Sequence, residues 1–162
     1  MSSPDLPDGG DPACWAHLVD GERVDLATRA EVEHLVRTFY RAAAMDDLLG
    51  PIFHEAGVDW PGHIETVTAF WMDQLFGTRT YAGNPLRAHE PIARRIPFRA
   101  EHFERWLALF TETVDEQYDG PVAELAKARA AKMARALRRL LDGASAPGTE
   151  PVEVAGPGRR AT

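Results

Sequence analysis

From Val32 to Leu140 the apolar residues of this chain return every three or four positions, and no stretch alternates with a period of two. Side chains three and four apart share one face of an α-helix, whereas a half-buried strand needs strict alternation. The chain therefore reads as all-α. Val32, Leu35, Val36, Phe39 and Ala43 form one stripe and predict a helix from Ala30 to Met45, ended by Asp46, Asp47 and Gly50-Pro51. Pro61-Gly62 opens a second, with Ile64, Val67, Phe70, Trp71 and Leu75 on its apolar side and a stop at Gly77. A third carries Phe103, Trp106, Leu107, Phe110 and Val114. Pro121, placed for a first helical turn, starts a fourth with Val122, Leu125, Ala126, Met133, Leu137 and Leu140 as its apolar face.

Residues 50–60 and 77–100 are left as long, poorly helical stretches, and loops of that length in a compact domain usually have a task. The second holds NPLRAHEP, in which Pro85 and Pro91 fence His89. Proline fixes φ and interrupts helices, so only a short helical turn is expected there. The ends differ from the middle. Residues 1–24 are acidic and rich in Pro and Gly, and read as a flexible extension, although Trp15, Leu18 and Val19 could dock on the body. Residues 143–162 hold four glycines and three prolines and read as a disordered tail. The ordered domain is expected over 25–142.

Composition narrows the function classes. A net charge of −7 argues against a nucleic-acid surface. The single cysteine, Cys14, permits no internal disulfide and fits a reducing cytoplasm. No apolar run approaches the roughly 20 residues of a membrane span, and the N-terminus lacks the pattern of a signal peptide. There is no CxxCH, paired CxxC, HExxH, phosphate loop, GxGxxG after a strand or Gly-x-Ser-x-Gly elbow. Cys14, in the extension, is a poor nucleophile or thiolate ligand.

Six histidines remain. Glu31 and His34 have the Glu-x-x-His spacing of di-iron bundles, but no second copy exists, and His34 lies beside Arg37 and Arg41 on the solvated side. It reads as a surface residue. His17, His54 and His102 fall in no ligand spacing and receive no role. His63 shares a helix face with Val67 and Phe70. Tyr40 follows Val36 by four residues on the first stripe, and Trp106 repeats the pattern on the third. Each is either a hydrogen-bonded core residue or a polar group aimed into a cavity.

Taken together, RTFYRAAAMDDLLGPIF, HIETVTAFWMDQLFG, YAGNPLRAH and FERWLALF resemble the group III truncated haemoglobins, from about Glu31 to Leu140. The resemblance implies a two-over-two helical sandwich around haem b. It implies His89 as the iron's proximal ligand, Phe53 packed against the haem, and Tyr40, His63 and Trp106 as distal residues in a pocket that includes Phe39 and Val67. A diatomic ligand (O₂, NO or CO) would bind at the vacant axial position. Arg87, Arg94 and Arg95 flank His89 and are expected to meet the haem carboxylates, for which guanidinium is suited.

Within that resemblance two functions compete. One is redox chemistry on bound O₂, NO or peroxide, for which 162 residues leave no room for a fused flavin domain, so a separate reductase would be needed. The other is reversible binding, for sensing or for simple oxygen storage. Outside it stands an α-helical interaction protein whose apolar pocket is only core.

Overall fold

A computed structural model describes residues 22–142, which form six helices. The bulk of the expected N-terminal extension, with Cys14, Trp15 and His17, and the tail from residue 143 lie outside the described residues.

Helix α1 (Arg29–Met45) starts at a reciprocal cap. The Thr28 hydroxyl accepts from the Glu31 amide, and the Glu31 carboxylate accepts from the amides of Ala27 and Thr28. Helix α3 spans Trp60–Phe76 and ends on left-handed Gly77. Helix α5 spans Ala100–Gln117 and α6 spans Pro121–Asp142. The α1–α3 pair packs against the α5–α6 pair, with α1 on α5 and α3 on α6, which is a two-over-two sandwich. Its centre is aromatic: Trp71 and Trp106 stack on the wholly buried Phe110 with ring centroids 4.7 and 5.5 Å apart and planes 12° and 4° from parallel.

Three sequence expectations are corrected. Residues 50–60 are not mainly loop, because Gly50–Ala56 form α2, opened by Pro51 and closed by left-handed Gly57. NPLRAHEP is not confined to a short turn. It opens an 11-residue helix, α4 (Pro85–Arg95), with Pro91 inside. Pro85 at the first position costs nothing there, and the Asn84 side chain caps the amides of Leu86 and Arg87, which offsets part of what Pro91 costs inside the helix. The expected apolar face of α6 holds at Val122, Ala126, Met133 and Leu137, which are buried, packed on the core or line the cavity, but not at Leu140. Ala123, Ala126, Ala130, Ala134 and Leu141 are buried, while Leu140 is 52% exposed. Small side chains let α6 approach its neighbours closely, and their spacing turns Leu141, not Leu140, inward.

The body of the protein already includes residues 23–26. Leu26 is buried, Val24 pairs with Tyr118, and the Arg23 guanidinium donates to the Asp115 carbonyl. Asp25 accepts the amides of Val122 and Ala123 and so caps the start of α6.

Candidate functional site

A cavity of about 230 Å³ opens among all six helices and is lined mainly by apolar side chains. Five polar aromatic groups interrupt that lining: Tyr40, His63, His89, His102 and Trp106. They come from four helices, and the stripes of those helices bring them together.

On one wall, Tyr40 and Trp106 lie at the edge of the aromatic centre. The Tyr40 ring meets His63 edge-on at 4.6 Å, Phe39 at 4.8 Å and Phe53 at 5.8 Å. Burial pushes the Tyr40 hydroxyl far above the ordinary phenol range, so it keeps its proton and can donate. His63 is held below the usual histidine range, first by burial and then by the charge of His89. Its Nε2 is buried and has no hydrogen-bond partner among the described residues. A buried polar atom left unpaired is costly, and here it borders a cavity that would hold a ligand.

His89 stands on α4. Its Nδ1 lies 2.6 Å from the Pro85 carbonyl one turn earlier. A carbonyl only accepts, so Nδ1 carries the proton and donates. In the neutral ring Nε2 then keeps its lone pair, which is the state an imidazole needs to bind a metal. Phe98 packs near it at 6.3 Å.

His102 has the opposite tautomer. Its Nδ1 accepts the Arg99 amide at 2.9 Å, so its proton sits on Nε2 and that nitrogen is a donor. It is buried and held below the usual histidine range, first by burial, then by the Arg99 charge, with Glu101 opposing. No role was expected for it. The signal was present in its spacing, four residues before Trp106, which places both on one face of α5.

The remaining expected residues are placed as follows. Phe53 lines the cavity. Phe39 stands behind the lining, wedged between Tyr40, Trp106 and Phe110. Val67 is half-buried against the core, off the lining. Arg87 and Arg94 are exposed, while exposed Arg95 donates to the carbonyl and carboxylate of Glu55 on α2. Among the described residues no three His, Cys, Asp or Glu side chains cluster as a metal site. For a haem, the donor set fits: one imidazole with a free Nε2, an apolar cavity beside it, and unpaired or donor groups across from it.

Comparison with known proteins gives the same direction. A family model described as Bacterial-like globin matches residues 25–140. The group 3 truncated haemoglobin ctb of Campylobacter jejuni is 29% identical over 123 residues, covering 74% of this chain and 94% of that protein. The crystal structure of the Campylobacter jejuni group III truncated haemoglobin superposes with a TM-score of 0.66 at 30% identity, over 74% of this chain and 95% of that one. The structure of Chlamydomonas reinhardtii THB1 gives 0.55 at 28% identity, over 68% and 89%.

Proposed function

The chain belongs to the bacterial-like globins, and on that premise we propose that it binds haem b through His89 and holds O₂, or another diatomic ligand, on the side of Tyr40, His63 and Trp106. The observation that carries this reading is the pair of opposed tautomers. His89 alone combines a position on the cavity with an Nδ1–H already committed to a carbonyl. His102, with Nδ1 accepting, is a donor and not a ligand.

Bound haem would supply an iron able to take a small diatomic ligand, with His89 as the residue that would hold it. The protein does the rest. The Pro85 carbonyl orients His89 and raises its basicity. The apolar lining excludes water, which strengthens each hydrogen bond inside. Tyr40 stays protonated and donates to a ligand that carries partial negative charge, and Trp106 can only donate. A hydrogen bond to a charged group contributes roughly 1.5–3 kcal/mol, so two donors slow ligand release by about a hundredfold even after discounting for geometry. Slow release suits redox chemistry or ligand sensing better than oxygen delivery, and redox chemistry needs an external electron donor. We place the protein in the cytoplasm, consistent with its lone cysteine; among the described residues no helix is long and apolar enough to cross a membrane.

Stopped-flow O₂ dissociation tests the distal half of this reading. Tyr40→Phe and Trp106→Phe should each release O₂ roughly tenfold or more faster than the wild type. Fast release from the wild type, unchanged in both variants, would restore simple oxygen storage.

A further inference from the structure

We infer that the outer face of α6, with the exposed arginines of α4, is the docking surface for an acidic electron-donor protein; this rests on the haem-binding reading above. Helix α6 carries six basic residues, Lys127, Arg129, Lys132, Arg135, Arg138 and Arg139, against two acidic ones, Glu124 and Asp142. That is a net +4 within a chain of net −7, so everything outside α6 sums to −11. Helix α4, which packs on α6, adds Arg87, Arg94 and Arg95 against Glu90. Such segregation is unusual on an acidic protein and creates a field confined to one face.

The free charge lies in the middle of that face. Lys127 is neutralised by Asp115 and Glu124, each at 2.6 Å, and Arg138 reaches Glu104 at 3.5 Å. Arg129, Lys132, Arg135 and Arg139 are exposed and form no salt bridge among the described residues. The inner side of the same wall is the cavity: Met133, Ala134 and Leu137 of α6 and Ala88, His89 and Ile92 of α4 line it. A donor seated outside is separated from the cavity by one helix, about 10 Å across. In the step this serves, one electron leaves the donor protein, which is oxidised, and the haem iron passes from ferric to ferrous. No bond forms or breaks.

The charge pattern favours a compact acidic protein over other polyanions. A nucleic acid long enough to be held would run beyond the patch onto the rest of the described surface, which sums to −9. An anionic membrane requires an apolar band beside the charges, and Leu140 is the only large apolar side chain exposed on described α6. A protein covering the patch alone gains steering without repulsion.

The test compares the full-length chain with the triple variant Lys132→Glu, Arg135→Glu, Arg139→Glu, which leaves every cavity residue in place. Binding of the haem-free protein to an acidic flavodoxin is measured, as is reduction of the haem-loaded ferric protein by reduced flavodoxin. At low salt the wild type should bind, and be reduced roughly tenfold or more faster than the variant; the difference should vanish at high salt, and dithionite should reduce both equally. Equal binding and equal rates would overturn the proposal. Binding to DNA or to anionic vesicles but not to flavodoxin would assign the face to that partner instead. Flavodoxin binding that appears only after Asp5, Asp8, Asp11 and Asp20 are all changed to Asn would assign the face to the chain's own N-terminal segment. A protein that takes up no hemin would refute the haem reading, while the binding arm would still decide the docking surface.

Discussion

The two walls of the cavity are held by different forces. The wall that carries Tyr40, His63 and Trp106 is continuous with the aromatic core, and Phe39, Phe110 and Trp71 pack behind it with almost no exposure. The wall that carries His89 is one short helix with a proline inside and a single buried side chain, Ala93. Polar ties fix it instead. The Asp73 carboxylate gathers the Thr78 hydroxyl and the amides of Thr80 and Tyr81, shaping the loop that leads to α4. Asn84 caps its start, and Arg95 ties its end to Glu55. On the proposed reading, the residues that would face the ligand double as core, whereas His89, the proposed ligand to the iron, stands on an element held mainly by polar ties. Truncating the rings packed behind the first wall should unfold the protein, whereas shape-keeping changes such as Tyr40→Phe and Trp106→Phe leave it folded, and changes on the second wall should release the haem from a folded chain.

The largest expected effect is at the centre of the first wall. Phe110→Ala removes the ring on which both tryptophans stack, and should cost about 3–5 kcal/mol in chemical denaturation. A loss under about 1 kcal/mol would show that the stack is not the core's centre. The next effect belongs to the second wall. Asp73→Asn should accelerate haem dissociation severalfold while leaving the helical circular dichroism unchanged. The Asp73 carboxyl is held below the ordinary carboxylate range, first by the Thr78 hydroxyl and further by the amides of Thr80 and Tyr81, with burial opposing. Its contribution is therefore complete above a pH of about 3.9 and is lost as the pH falls through the lowered value. Wild-type haem loss should quicken in acid, and the Asn variant should start fast and respond less. Identical pH profiles would remove Asp73 from the wall's support.

The smallest effects are expected from the arginines beside His89. Arg95→Ala should speed haem loss by breaking the tie to Glu55, and more than Arg87→Ala or Arg94→Ala, whose guanidiniums are exposed. Should the order be reversed, with Arg95→Ala silent, propionate pairing by Arg87 or Arg94 would outweigh the tie.

The same contrast explains what could be read in the sequence. The four long helices announced themselves because each carries large apolar side chains at helical spacing, and Tyr40, His63 and Trp106 lie on or beside those stripes. Helix α4 did not, because it is fixed by caps and ion pairs that span up to 40 residues, and its two prolines argued for a turn. His102 escaped because its meaning depends on an amide at Arg99 that only the folded loop brings to Nδ1. The packing of α6 was misassigned at Leu140 because alanines set its buried face, and small residues weigh little in a reading by hydrophobic size.

The proximal assignment is tested most directly by hemin titration of the wild type, His89→Ala and His102→Ala, followed by reduction and the addition of free imidazole. The wild type should give a Soret band and a five-coordinate ferrous spectrum. His102→Ala should retain both. His89→Ala should bind hemin weakly, lose that ferrous spectrum, and regain it with imidazole, while its haem-free stability stays within about 1 kcal/mol of the wild type. An unchanged ferrous spectrum in His89→Ala, or its loss in His102→Ala alone, would mean that the iron is held by another residue.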